Sequence, residues 1–209
     1  MTVTLKIWGR LTSVNVQKVM FCVEELALPH ERIEAGLAYG IVDTPEYLAK
    51  NPNGLVPLID DDGFLLWESN AIVRYLAGKH ATGSMLPSDA QRRADADRWM
   101  DWQTTTLQPA MGGAFMNLVR LPPEKRDATA VEPSRKRSEA CVAILEGALA
   151  RHQFVAGDSL TIGDISLGPA IHRWLNLPLD RERRPHVERW YGELWQRRSA
   201  QRALPLPVS

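Results

Sequence analysis

The 209-residue sequence predicts an α/β domain followed by an all-helical domain. Apolar patterns over the first 34 residues predict a strand, a helix and a second strand. Farther along, an Asp-Asp-Gly turn between two apolar runs predicts a hairpin, and helical spacing returns directly after it. From residue 89 onward the apolar spacing is helical. We therefore expect an α/β domain over residues 1–80, a linker over 81–88 and a helical domain over 89–209.

The first strand is predicted over Val3–Trp8, where apolar and polar residues alternate. The turn Gly9–Ser13 follows it. Apolar spacing from Val14 predicts a helix that runs to about Leu28 and stops before a proline. A second short strand is predicted over Glu31–Glu34. A strand, a helix and a strand at this spacing form a βαβ unit with a right-handed crossover.

The rest of the α/β domain contains a short predicted helix over Pro45–Lys50. The hairpin strands are predicted at Leu58 and Ile59 and at Leu65–Trp67. Helical spacing from Ala71 predicts one more helix. The predicted order of this domain is therefore β-α-β-α-β-β-α.

The helical domain is predicted to begin with one long helix from Asp89 to about Val119, bent at Pro109. The segment before it has no periodicity and carries glycine and proline, as linkers do. Three further helices are predicted over Ala128–Arg151, from near Thr161, and over Pro185–Arg198.

Composition excludes several classes of function. Lysine and arginine number 25, as do aspartate and glutamate, so net charge implies no attraction to nucleic acid or to a membrane. No apolar run approaches the length of a membrane span, and no secretory leader is recognisable. Cys22 and Cys141 lie far apart, and the histidines show no ligand spacing, so we expect no metal. We expect a cytoplasmic protein.

Four motifs resemble those of the cytosolic glutathione S-transferase superfamily, and the resemblance covers essentially the whole chain. Each motif is weak alone, but their shared order and spacing are specific. The first strand ends at Trp8-Gly9-Arg10, without a tyrosine at the active position, which resembles bacterial theta- or beta-like enzymes of the serine/asparagine type. The motifs are Ser13-Val14-Asn15, Asn51–Pro57, Glu68–Ile72 and Ser159–Ile165.

The resemblance implies a thioredoxin-like first domain that binds glutathione. The cysteinyl backbone of the tripeptide would pair with Val56, before a cis Pro57, as a small β-augmentation. Glu68 and Ser69, at a helix N-terminus, would hold the γ-glutamyl end, because free N–H groups and the helix dipole favour an anion. A plain helix cap is the alternative reading of this pair.

The chemistry implied by the resemblance comes from the glutathione thiolate, the nucleophilic form of the sulfur. Ser13 is the candidate donor to this sulfur, with Asn15 and Arg10 as further catalytic candidates. Ser13 also stands where a helix cap is expected, and one hydroxyl cannot have capping and catalysis as its main role together.

The second substrate is expected beside an apolar segment that contains Met111 and Phe115, which suggests a hydrophobic electrophile. Many relatives carry a lysine or arginine where this chain has Leu55. Arg10 or Lys50 would then bind the glycine carboxylate of glutathione, or glutathione binds weakly.

The function predicted is conjugation of glutathione to a small, partly hydrophobic electrophile by a homodimer. Trp67 and the helix from Asp89 are candidates for the subunit contact. A glutathione-dependent disulfide reductase or peroxidase, or a non-catalytic transferase-like binding protein, are the alternatives. Thr161 and Asp164 have the spacing of a capping box and are assigned to folding.

Overall fold

The structure is a computed structural model that describes residues 5–208. Val3 and Thr4 of the predicted first strand lie outside these residues. Four strands form one mixed sheet, and three α-helices accompany them. The strands are Leu5–Trp8 (β1), His30–Ile33 (β2), Leu58–Asp61 (β3) and Phe64–Trp67 (β4). The helices are Val14–Glu25 (α1), Pro45–Leu48 (α2) and Ser69–His80 (α3).

The sheet has the order β2-β1-β3-β4, with β1 and β2 parallel, β3 antiparallel to β1, and β4 antiparallel to β3. This confirms the predicted βαβαββα arrangement. The register aligns Trp8 with Leu58 and Leu58 with Trp67. Consequently the loop after β1, the turn before β3 and the start of α3 all lie at the same edge of the sheet.

The second part of the chain is helical, as predicted. Its helices are Ala90–Trp102 (α4), Gln108–Phe115 (α5), Val131–Leu149 (α6), Ile162–Leu175 (α7), Pro185–Trp195 (α8) and Arg198–Ala203 (α9). The capping box predicted at α7 is present, since Thr161 and Asp164 bond each other's backbone N–H groups.

The long helix predicted from Asp89 to about Val119 is not a regular α-helix along its whole length. Gln103–Leu107 and Met116–Arg120 are π-helical segments on either side of α5. Pro109 cannot donate a backbone hydrogen bond, and in a regular α-helix its ring would meet the carbonyl group four residues earlier. The wider π turn before it relieves that clash. The sequence predicts an irregularity at Pro109, as a bend, but does not predict the π-helical segments.

The last predicted helix, Pro185–Arg198, ends at Trp195 in the structure, and a further helix that was not predicted, α9, begins at Arg198. The chain is extended at Arg197, the residue before α9. The guanidinium of Arg197 forms an ion pair with Glu25 at the end of α1. The break therefore allows α9 to lie along α1, a contact that local periodicity does not report.

A single hydrophobic core joins the two predicted domains. Helix α1 packs against α3, α7 and α9, and its Val16, Val19 and Phe21 are fully buried. The boundaries at residues 80 and 89 remain predictions. Within residues 5–208 no helix is both long and apolar enough to cross a membrane.

Candidate active site

The loop Gly9–Ser13 is held by hydrogen bonds to all five of its carbonyl groups. Pairing of every carbonyl group restricts the loop, as a preorganised site requires. The bonds are from Arg32 to Gly9 (2.8 Å), from the Ser13 N–H to Arg10 (3.1 Å), from the Gln17 amide to Leu11 (2.7 Å), from Arg120 and Arg173 to Thr12 (3.0 and 3.3 Å), and from the Gln17 N–H to Ser13 (2.9 Å).

Ser13 is the N-cap residue of α1, and its side chain makes no capping hydrogen bond. The hydroxyl is half-buried at the helix N-terminus, where the dipole favours negative charge. Capping and catalysis were the two roles expected for this hydroxyl, and it does not cap the helix. Asn15 lies in the first turn of the same helix.

Two arginines that sequence reasoning did not identify reach this loop from the helical part of the chain. Arg120 ends the second π segment, and Arg173 lies near the end of α7. Arg173 is only 8% exposed. Burial, followed by repulsion from Arg120 and Arg10, lowers the pKa of Arg173 to about 9. The sequence signal available for Arg173 was a charged residue in a mostly apolar helix.

Arg10 lies in the loop itself and is half-buried. Burial, and then repulsion from Arg120, lowers its pKa. A Cβ atom at Gly36 would lie 2.7 Å from Nη1 of Arg10 and 3.6 Å from Val56 Cγ1, and Gly36 has φ of +83°. Arg10 and Val56 therefore meet at a backbone position that only glycine can occupy without strain.

The Val56–Pro57 peptide bond is cis, as the sequence predicts. The turn is supported by the carbonyl group of Leu55, which accepts hydrogen bonds from the Tyr47 hydroxyl (2.7 Å) and the Asn51 amide (2.8 Å). Within residues 5–208, Val56 makes no backbone hydrogen bond. Its N–H and C=O groups are therefore available to an extended peptide.

Glu68 has positive φ and ψ values of 73° and 110°, although it is not glycine. A residue held in this region costs about 1–3 kcal/mol and is typical of ligand-binding sites. Its side chain makes no capping bond, while Ser69 begins α3 and is 5% exposed. The first N–H groups of α3 are thus presented at the sheet edge that also carries Ser13 and Val56.

Leu55, which stands where the family resemblance leads us to expect a lysine or arginine, has an exposed side chain. Leu55 is 65% exposed, and its carbonyl group alone serves the turn. Lys50, a candidate for the missing charge, lies with Nζ 5.2 Å from the centroid of the Trp8 ring. The Lys50 ammonium is also 3.5 Å from Glu46.

A cavity of about 380 Å³ adjoins the loop. Met111 and Phe115, the residues predicted beside the second substrate, both line it, and so does Arg173. The apolar lining suits a hydrophobic group. The remaining lining residues are Val14, Thr104, Gln108, Pro109, Gly112 and Met116.

A buried lysine that sequence reasoning also overlooked connects α1 to both parts of the chain. Lys18 is fully buried, with Nζ 3.3 Å from the Asn70 side-chain oxygen and 3.4 Å from the Thr104 hydroxyl. Burial lowers its pKa to about 7, Glu68 opposes this, and Arg74 adds to it. In the sequence, burial of Lys18 was indicated by its position, because it lies four residues after Val14 and therefore on the inner face of α1.

We expect Lys18→Met to reduce the pH dependence of stability. Below about pH 7 both states of the wild type bind the lysine proton. At higher pH the folded state releases it first, so the free energy of unfolding rises toward the ordinary lysine pKa, by at most about 1.4 kcal/mol per pH unit. Urea unfolding at several values between pH 7 and 10 measures the slope.

The matched control for this substitution is Lys6→Met, because Lys6 is exposed on β1. This variant should keep the slope of the wild type. Parallel stability curves for the wild type and the Lys18→Met variant would contradict the assigned effect of burial.

The mixed four-stranded sheet, the cis-proline turn and the attached helices define a two-domain protein of the thioredoxin-like class. The family model for the N-terminal domain of glutathione S-transferases matches residues 3–78, and that for the C-terminal domain matches residues 128–193. The chain is 44% identical to glutathione S-transferase GstB of Escherichia coli K12 over 207 residues, which is 98% of this chain and 100% of the relative. The chain belongs to the glutathione S-transferase family.

Solved structures support the same assignment. The theta class glutathione S-transferase of Xanthomonas axonopodis pv. citri with glutathione bound matches with a TM-score of 0.95 and 39% identity, over 99% of this chain and 100% of that chain. The apo form of that enzyme matches over the same shares, with a TM-score of 0.86 and 34% identity.

Proposed function

We propose that this protein joins the thiolate of glutathione to a small, partly hydrophobic electrophile. The observation that carries the proposal is the meeting of three elements at one edge of the sheet. These are the loop Gly9–Ser13, the cis turn at Val56–Pro57 and the start of α3 at Ser69. The cavity lined by Met111 and Phe115 also includes Val14, the residue that follows this loop.

Glutathione would bind along this edge. The unpaired backbone of Val56 pairs with the cysteinyl residue, and the cis Pro57 keeps that backbone facing the site. Ser69, Glu68 and the N-terminus of α3 hold the γ-glutamyl carboxylate and amine, which need a donor and an acceptor respectively. Arg10 would bind the glycine carboxylate, and the position of its guanidinium beside Gly36 and Val56 supports this role.

Ser13 is the proposed donor to the sulfur, and Asn15 and Arg10 support it. Lowering the pKa of a thiol by two units requires about 2.7 kcal/mol of preferential interaction with the thiolate. One charge-assisted hydrogen bond contributes about 1.5–3 kcal/mol. A hydroxyl that is not used for capping, at a helix N-terminus close to arginines, can supply this difference.

Titration calorimetry with glutathione tests the proposal, followed by a panel of electrophiles with the purified protein. Heat of binding and glutathione-dependent turnover of at least one neutral electrophile are expected.

Ser69→Ala should weaken glutathione binding by about tenfold through loss of a hydrogen bond to a charged group. Ser159→Ala, at an exposed serine, is the control. No heat and no thermal shift at millimolar glutathione would overturn the proposal.

We also propose a cytoplasmic homodimer. Phe64, Leu65 and Trp67 on the hairpin strand β4 are all more than a third exposed, and their apolar surface supports a subunit contact there. Cys22 and Cys141 are free and buried, in keeping with a reducing compartment. A monomer in size-exclusion chromatography at micromolar concentration would contradict the dimer.

A further inference from the structure

Two arginines converge on the residue before Ser13, and a third lies in the same loop. Arg120 and Arg173 donate to the Thr12 carbonyl oxygen at 3.0 and 3.3 Å, and Arg10 lies two residues before that carbonyl. We call Arg10, Arg120 and Arg173 the arginine cluster. Two of its members also face the Phe115 ring, with guanidinium carbons 5.0 and 3.8 Å from the ring centroid.

Arg10 and Arg173 are cations that are half-buried and buried, respectively. Within residues 5–208, neither Arg10 nor Arg173 forms an ion pair with a carboxylate, and the charges that most affect their pKa values are those of other arginines. Nε of Arg10 is buried without a hydrogen-bond partner. Burying like charges together is unfavourable, and a nearby anion offsets part of that cost.

Arg173 connects this charge to the second-substrate cavity. It lines the cavity together with Val14, Met111 and Phe115. Its hydrogen bond within the described residues is the one to Thr12, which leaves most of its five N–H donors for a ligand. Guanidinium groups suit carboxylates because their N–H donors match both oxygens.

We propose that the preferred electrophile is anionic, with an apolar body in the cavity and a carboxylate on Arg173. This inference rests on the proposed transferase function and names the substrate class for it. Met111 and Phe115 contact the apolar body, so an aromatic or short alkyl carboxylate with a leaving group fits.

The reaction with such a substrate is a displacement without redox change. The glutathione thiolate forms a bond to the carbon that bears the halide, and the halide leaves with the electron pair of its bond. The thiol proton is lost to solvent before attack. The carboxylate is unchanged and serves only for binding.

Two probes that differ only in charge test the proposal. They are 4-(chloromethyl)benzoate and its neutral amide, 4-(chloromethyl)benzamide, each with glutathione. Each enzymatic kcat/KM is divided by the uncatalysed rate constant with glutathione. The wild type should favour the benzoate by about tenfold or more, the effect of one good charge-assisted hydrogen bond. In Arg173→Met this ratio should fall toward one, and Arg173→Lys should retain part of it.

The control substitution is Arg137→Met, since Arg137 is exposed on α6, and it should keep the wild-type ratio. Unsubstituted benzoate should also inhibit the wild type competitively with the electrophile, whereas benzamide at the same concentration should not. This inhibition test needs no variant and therefore does not depend on the folding of Arg173→Met.

The other outcomes are distinct. Equal use of the two probes by the wild type would overturn the anionic substrate and leave the transferase function standing. If Arg173→Met lowers both rates equally, moves the pH profile upward or weakens glutathione binding, the cluster acts on glutathione, and the inference is wrong. Failure of the wild type to bind glutathione or to use any electrophile would overturn the proposed function itself.

Discussion

Ser13→Ala is expected to lower kcat/KM for glutathione conjugation by about 10²-fold or more. The hydroxyl would stabilise the thiolate, and its loss should raise the pKa of the bound thiol. The pH profile of kcat/KM should therefore shift upward. Direct titration of the thiolate absorption of bound glutathione measures the same shift.

The structure separates this effect from loss of a helix cap. Removing a capping serine usually costs about 1 kcal/mol of stability. The Ser13 hydroxyl makes no cap bond, so the variant should unfold at nearly the wild-type denaturant concentration. Thr12→Ala, which removes a hydroxyl one residue earlier in the same loop, is the matched control. An unchanged rate in Ser13→Ala would transfer the role to Asn15 or Arg10.

Asp164→Ala is expected to lower the free energy of unfolding by about 4 kcal/mol. The carboxylate is fully buried and accepts four hydrogen bonds. The donors are the Val155 N–H (3.0 Å), the Thr161 N–H (2.8 Å), the Thr161 hydroxyl (3.1 Å) and the Trp190 indole N–H (2.8 Å). Alanine would leave these donors buried without an acceptor. In thermal unfolding, the melting temperature should fall by about 8–16 °C.

The free energy of unfolding of Asp164→Asn should lie between those of the wild type and Asp164→Ala. One side-chain oxygen remains as an acceptor, while the new NH₂ group faces N–H or O–H donors. Asp158→Ala is the control, since Asp158 is exposed in the nearby loop. A loss below about 1 kcal/mol in Asp164→Ala would mean that water or a local rearrangement satisfies the four donors. At a fixed protein concentration, the comparison is independent of subunit association.

The candidate glutathione contacts could be proposed from the sequence because the elements that carry them are local in sequence. The cis Val56–Pro57 turn lies next to the hairpin, and Ser69 follows that hairpin directly. Ser13 is the last residue before α1. Each is marked by residue types that a turn or a helix start requires, so order and spacing were sufficient to propose them.

The arginine cluster could not be predicted in this way. Arg120 and Arg173 lie 108 and 161 residues along the chain from Thr12, whose carbonyl group they share. Lys18 bonds Asn70 and Thr104, at separations of 52 and 86 residues. Sequence periodicity reports which face of a helix is buried, but not which distant side chains meet on that face.

By itself the sequence determined the α/β-then-helical order, the cis-proline turn, the capping box at Thr161 and Asp164, and the candidate glutathione contacts. All of these depend on interactions within a few residues. Only the tertiary structure decided that the Ser13 hydroxyl makes no cap bond, that the helix before Pro109 becomes a π turn, and that α9 separates from α8. It also placed Arg173 between the loop and the cavity. These outcomes depend on packing between segments distant in the chain, where steric fit and charge repulsion act across the shared core.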